Sequence, residues 1–164
     1  MTDCRQHRIV VGINGSRASL TALRWATAEA RLRGAGLHVV RAWDPARHAA
    51  PYAPVGHLPT GDEQEAEVRA GLVADMQAEF GPATPDDVTT ELAEGVPERI
   101  LIAQSAGADL MVLGEAAPTS LTGRPEGPVI RACLAHASCP VVIVGSANDA
   151  RAPARRDLAD AVIA

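Results

Sequence analysis

The chain has 164 residues, 47% of them hydrophobic, which is enough for one domain with a core covered on both faces. Its net charge of -5 and its aromatic content of 2% exclude the basic surface and the stacking platforms on which most nucleic-acid binders depend. No apolar run approaches the roughly 20 residues of a membrane helix, so we expect a cytoplasmic protein without membrane contact.

The first half of the chain alternates short apolar runs with helical periodicity. Residues 8–13 predict a buried strand that ends in an Asn-Gly-Ser turn, and a helix with Ser16 as its N-cap follows over 17–33. A second β-branched run, 37–43, predicts another strand. Four prolines between 44 and 61 predict an exposed, irregular crossing loop.

The second half continues the alternation. Helical spacing over 62–80 stops at a Gly-Pro pair, and alternating polar and apolar residues over 87–93 predict an edge strand. The remaining predicted elements are a helix at 96–106, a strand at 109–113, a helix at 128–137 and a strand at 140–144. This order predicts a parallel sheet with helices on both faces, because parallel strands need crossover connections. We expect residues 1–146 to form the domain and 147–164 to form a tail.

In open parallel sheets a ligand binds beyond the carboxyl ends of the strands. Here that crevice is expected to be lined by residues 13–16, by 42–44 and by the loop that begins at Gly114. We assign no catalytic residues and no metal site, since the chain has no GxSxG elbow and no fixed histidine spacing. Without a CxxC motif, Cys133 and Cys139 are interpreted as small core residues.

Three sequence blocks together resemble the universal stress protein family. They are RIVVGINGSRASLTALRWA at 8–26, GVPERILIAQSAGADLMVLG at 95–114 and GPVIRACLAHASCPVVIV at 127–144. The resemblance implies a flavodoxin-like, Rossmann-like α/β fold with a five-stranded parallel sheet in the order 3-2-1-4-5. It also implies a homodimer through the last strand, whose edge would otherwise stay unpaired. The residues expected at that interface are Val141, Val142, Ile143 and Val144.

ATP-binding members of the family carry a loop of the form G-x2-G-x9-G-[S/T] after the fourth strand and an acidic residue after the first. Gly114 and Gly127 match the first and third glycines. Ala117, Pro128 and Asn14 replace the second glycine, the hydroxyl residue and the acid. Proline removes an amide and a hydroxyl that could hold phosphate, and asparagine offers no carboxylate to a magnesium ion.

The resemblance makes ATP or another adenine nucleotide the candidate ligand. The predicted contacts are Ile13, Asn14, Ala42, Gly114, Arg124, Gly127, Val129 and Ile130. Arg124, together with Thr119, Ser120 and Thr122, could rebuild a phosphate site. The alternative is that these four are ordinary loop residues.

Three functions remain open. The first is a stress-response module regulated by a nucleotide. The second is a nucleotide-independent dimeric module whose proline-rich loop binds a protein partner. The third is a slow ATP hydrolase, which Asn14 and Pro128 disfavour, so a binding role is expected over an enzymatic one.

Overall fold

The computed structural model describes residues 7–48, 60–115 and 127–145. Ten helices and strands lie within these ranges. They are β1 (Arg8–Gly12), α1 (Arg17–Arg33), β2 (Gly36–Trp43), α2 (Pro45–His48), α3 (Gly61–Phe80), β3 (Val88–Glu94), α4 (Pro97–Gln104), β4 (Leu110–Glu115), α5 (Pro128–His136) and β5 (Val141–Gly145). Apart from α2, each matches a predicted element to within two residues at either end.

The short helix α2 corrects one prediction. It occupies Pro45–His48, inside the stretch 44–61 that the prolines indicated to be irregular. Its proline stands in the first turn, where a missing N–H costs no hydrogen bond, and the side chain of Asp44 accepts a hydrogen bond from the N–H of Ala46 at 3.0 Å. Residues 49–59 of the predicted crossing loop lie outside the described residues.

The five strands form one sheet in the order β3-β2-β1-β4-β5. Every neighbouring pair is parallel, so the flavodoxin-like order and the edge position of β3 are confirmed. The end of β1 pairs with both neighbours, since Gly12 lies opposite Val40 on β2 and opposite Leu113 on β4. The carboxyl ends of these three central strands therefore meet at one place.

Two apolar clusters cover the two faces of the sheet. On one face, strand residues such as Val11 and Val39 pack with Leu23 of α1 and with residues of α3. On the other face, Val10 and Val40 pack with residues of α4 and α5. Each fully buried Val or Leu side chain contributes about 1.5–3 kcal/mol, so continuous apolar strands are what a doubly covered sheet requires.

Local signals in the sequence explain several details of these elements. Ser16 caps α1 by accepting a hydrogen bond from the N–H of Ser19, as predicted. Cys133 is fully buried among the apolar residues between the sheet and α4 and α5, and Cys139 packs against the same cluster, which confirms their interpretation as core residues. Among the described helices, none has the length and apolar character to cross a membrane.

Candidate functional site

A cavity of about 270 Å³ opens at the carboxyl ends of β1, β2 and β4. The connections after β1 and β4 leave towards opposite faces of the sheet, which is the arrangement that creates a crevice in open α/β folds. Its walls are mainly apolar, with Asn14 and Ser19 as the polar side chains. The lining residues are Gly12, Ile13, Asn14, Ser19, Val40, Ala42, Pro97, Leu101, Leu113, Gly114, Val129 and Ile130.

The structure brings most of the predicted contact residues to this cavity. Ile13, Asn14, Ala42, Gly114, Val129 and Ile130 all line it. Gly127 instead stands at the N-cap of α5, beside the lining residues. Arg124, like Ala117 and the hydroxyl residues near it, lies outside the described residues. The cavity therefore lies where the sequence indicated, at the ends of β1, β2 and β4.

The turn between β1 and α1 is closed by its own hydrogen bonds. The Oδ1 atom of Asn14 accepts the N–H of Ser16 at 3.0 Å, and the N–H of Asn14 donates to Oγ of Ser19 at 3.2 Å. Gly15, with φ at +78°, supplies the left-handed backbone that this turn needs. Because Oδ1 is already engaged, the side-chain amide of Asn14 has its Nδ2 donor left to offer a ligand.

An arginine that sequence reasoning missed lies beneath this turn. Arg41 of β2 donates from Nη1 to Oδ2 of Asp75 on α3 at 3.1 Å, and both side chains are less than a fifth exposed. Its guanidinium lies between two glycines, because a Cβ atom would come within 3.2 Å of it at Gly15 and within 3.1 Å at Gly71. Gly71 was the sequence signal that could have pointed to this arginine, because a glycine in the middle of a helix is otherwise unfavourable.

The two motif glycines have different structural roles. A Cβ atom at Gly114 would lie 2.1 Å from the carbonyl oxygen of Ala18, so the first turn of α1 packs directly on the end of β4. A Cβ atom at Gly127 would meet nothing within 4 Å among the described residues. Packing alone therefore requires glycine at position 114, whether or not a phosphate binds there.

Glu115 is the second residue that sequence reasoning missed, because the family motif leaves its position unspecified. It ends β4, and strand alternation places its side chain on the same face as Leu113, a lining residue. Its Oε1 atom is buried and has no hydrogen-bond partner within the part of the chain that the structure describes. A carboxylate therefore stands where the family's phosphate-binding loop begins.

The first turn of α5 offers few donors. Gly127 is its N-cap without a side-chain hydrogen bond, and Pro128 at the first helical position has no N–H. The N–H of Arg131 already donates to the carbonyl oxygen of Gly127 at 3.1 Å. The backbone N–H groups of Val129 and Ile130 are therefore the donors of this turn that could face a ligand.

The buried thiol of Cys133 on α5 is chemically unreactive. Burial raises the pKa of Cys133 to about 11, and the negative charge of Glu98 on α4 adds a smaller increase. The thiol stays protonated at neutral pH, so it is a packing group and not a nucleophile.

Glu91 of β3 has a structural role. Its Oε2 atom accepts a hydrogen bond from Gln104 at 2.9 Å and lies 3.0 Å from Nε2 of His38. The other ring nitrogen of this histidine lies 2.8 Å from Oγ1 of Thr89. The network ties β2, β3 and α4 together, and none of its members lines the cavity.

Comparison with known proteins gives a consistent result. The model of the universal stress protein family matches residues 6–145. A universal stress protein of Mycobacterium tuberculosis strain H37Rv is 34% identical over 142 residues, covering 83% of this chain and 46% of the relative. The chain thus spans about half the length of the curated relatives it matches.

Two solved structures share the fold. A universal stress protein in complex with cAMP has a TM-score of 0.61 and 23% identity, covering 86% of this chain and 98% of that one. A universal stress protein from Archaeoglobus fulgidus in complex with dAMP has a TM-score of 0.56 and 22% identity, covering 84% and 97%. At these identities the likeness establishes the architecture of the sheet and its helices.

Proposed function

The chain belongs to the universal stress protein family, and on that premise we propose that it is a stress-response module regulated by an adenine compound in the cavity. The observation that carries the proposal is the cavity itself, at the carboxyl ends of the three central strands. Its volume of about 270 Å³ lies just below the range for small-molecule sites, roughly 300–1,000 Å³. Two structurally similar proteins are complexes with cAMP and dAMP.

The lining supports an adenine ring and a polar sugar. Val40, Leu101 and Leu113 offer apolar contacts to a flat base. The backbone of Ala42 at the end of β2 and the side chain of Asn14 provide polar groups at the rim. A small number of polar groups among apolar walls is typical of sites that select one small molecule by hydrogen bonding.

Calorimetry on the full chain with cAMP, AMP and GMP tests this proposal. We expect the two adenine compounds to bind and GMP to bind at least about tenfold more weakly, because a site shaped for one base leaves polar groups unpaired against another. Ala42→Leu narrows the cavity and should abolish binding. Ala46→Leu, which changes an exposed residue of α2, is the matched control and should bind normally. Absence of binding at millimolar concentration, or equal binding by both variants, would contradict the proposal.

We also propose that the protein is a homodimer through β5. This strand pairs with β4 and ends the sheet, and Val141, Val142 and Ile143 are only partly buried. An apolar edge strand with unpaired backbone groups favours pairing with a second strand. Light scattering should give a dimer for the natural chain and for Val73→Lys, which changes an exposed residue of α3, and a monomer for Ile143→Lys. A monomeric natural chain at tens of micromolar would count against this interface.

A further inference from the structure

Arg41 of β2 lies between the cavity and helix α3. Its two neighbours in the strand, Val40 and Ala42, both line the cavity. Because successive side chains of a strand point to opposite faces, Arg41 points away from the cavity, to the face on which α3 packs. There its guanidinium donates to the carboxylate of Asp75. The strand end that forms part of the cavity wall is therefore tied to α3, none of whose described residues lines the cavity.

The guanidinium of Arg41 fills the space between the β1–α1 turn and α3. A Cβ atom at Gly15 of the turn would come within 3.2 Å of it, and a Cβ atom at Gly71 of α3 within 3.1 Å. Both distances are shorter than ordinary van der Waals contacts between carbon atoms, so only glycine leaves room for the guanidinium on each side. A change in the position of Asp75 on α3 therefore changes the contact between the guanidinium and the turn.

The turn that Arg41 contacts carries the polar side chains of the cavity. Asn14 and Ser19 both line it, and the N–H of Asn14 donates to Oγ of Ser19. Gly15 stands between Asn14 and Ser16, which are joined by a hydrogen bond from the N–H of Ser16 to Oδ1 of Asn14. Because the turn is one hydrogen-bonded unit, a displacement at Gly15 moves Asn14 relative to the apolar walls of the cavity.

We propose that Arg41 and Asp75 are positioning residues for the adenine ligand, through which α3 controls the affinity of the cavity. Neither side chain lines the cavity, so both act through the turn and not by touching the ligand. The intact ion pair holds the guanidinium against Gly15 and keeps Nδ2 of Asn14 within reach of the ligand. When the ion pair is broken, the turn loses this support. The inference rests on the proposed function, because it names how that same cavity is regulated.

Calorimetry with AMP on the full chain carrying Asp75→Ala tests this control. The variant leaves every lining residue in place, and we expect the AMP affinity to fall about fivefold, the size of one hydrogen bond from Asn14. Asp75→Glu keeps a carboxylate for Arg41 and should bind AMP within about twofold of the natural chain. A purely structural role of the ion pair would lower the unfolding free energy of Asp75→Ala and leave the AMP affinity of the folded protein unchanged.

Glu79→Ala is the matched control for Asp75→Ala. Glu79 stands one helical turn further along α3, its side chain is 19% exposed against 17% for Asp75, and its Oε2 atom lies 3.6 Å from Nε of Arg24 on α1. The control thus removes a carboxylate of similar exposure from an ion pair with another arginine. Glu79 is about 12 Å along the helix axis from Gly71, so the guanidinium beside Gly15 stays in place. We expect Glu79→Ala to bind AMP as the natural chain does.

Nuclear magnetic resonance of the ligand-free chains gives a second readout. The amide signals of Gly15 and Asn14 should shift in Asp75→Ala, because the guanidinium that contacts the turn has lost its carboxylate. The same two signals should keep their natural positions in Glu79→Ala. This comparison detects a change in the turn itself and does not depend on ligand binding.

The outcomes separate this inference from the proposed function. If AMP does not bind to the natural chain, the proposed function fails, and control of the affinity fails with it. If AMP binds equally to the natural chain, Asp75→Ala and Glu79→Ala, the adenine site stands and only the control by α3 is overturned. Equal losses of affinity in the two alanine variants, or unchanged signals of Gly15 and Asn14 in Asp75→Ala, would likewise overturn the positioning role of Arg41 and Asp75.

Discussion

The two sides of the cavity differ in how completely their polar groups are paired. At the β1–α1 turn, Asn14, Ser16 and Ser19 form a closed set of hydrogen bonds above the Arg41–Asp75 ion pair. At the end of β4, Glu115 keeps a buried oxygen without a partner in the described ranges. One side is closed by hydrogen bonds within the fold, whereas the other keeps an acceptor unpaired among the described residues. The difference teaches that neighbouring strand ends in one sheet can be stabilised in different ways.

The largest expected effect concerns the two motif glycines. Gly114→Ala forces a Cβ atom to within 2.1 Å of the Ala18 carbonyl oxygen, so the end of β4 and α1 must move apart, which should cost about 3 kcal/mol or more of unfolding free energy. Gly127→Ala meets no atom of the described residues within 4 Å and should cost about 1 kcal/mol or less. Urea unfolding followed by circular dichroism measures both. Equal losses would show that packing does not distinguish the two positions.

An intermediate effect is expected at the ion pair beneath the turn. Arg41→Met leaves the largely buried Asp75 without its cation, and we expect a loss of about 2 kcal/mol of unfolding free energy. In the Arg41→Met variant, Gly71→Ala should be stabilising by about 1 kcal/mol, because alanine favours the helical conformation more than glycine does and the guanidinium that a Cβ atom would contact is absent.

A double-mutant cycle by urea unfolding checks this coupling. In the natural chain the same Gly71→Ala change brings a Cβ atom to 3.1 Å from Nη1 of Arg41, so the gain in unfolding free energy should disappear. Additive effects of the two substitutions would mean that Arg41 does not depend on the space left by Gly71.

The smallest expected effect lies at Asn14. Asn14→Ala removes the acceptor for the N–H of Ser16, which should cost about 1 kcal/mol. Asn14→Asp keeps that acceptor, so its stability should stay within about 0.5 kcal/mol of the natural chain. Thermal unfolding distinguishes the two variants. A larger loss of stability for Asn14→Asp than for Asn14→Ala would show that residue 14 does not stabilise the turn through this hydrogen bond.

Much of the fold was predictable because the elements carry strong local signals. The apolar runs at 8–13 and 109–113 are long enough for buried strands, and the helix over 17–33 has a serine cap and a closing glycine. The strand order and the family assignment came from the resemblance of three sequence blocks to the universal stress protein family. The helix α2 was missed because a four-residue helix that starts at a proline has the composition of a loop.

The site was less predictable because its distinctive features depend on contacts across the fold. The sequence places Gly114 in a motif, but the reason for its glycine is Ala18, almost a hundred positions away in the chain. The burial of one Glu115 oxygen and the placement of Arg41 between Gly15 and Gly71 likewise exist only after the strands and helices have packed. Sequence patterns indicate where the cavity lies, and packing decides its chemistry.

The proposed adenine site is tested most directly by nuclear magnetic resonance of the labelled full chain during titration with AMP and, separately, with GMP. The account predicts that the amide signals of Asn14 and Ala42, which line the cavity, shift with AMP and shift less with GMP at the same concentration. Unchanged signals with AMP, or equal shifts with both compounds, would contradict it.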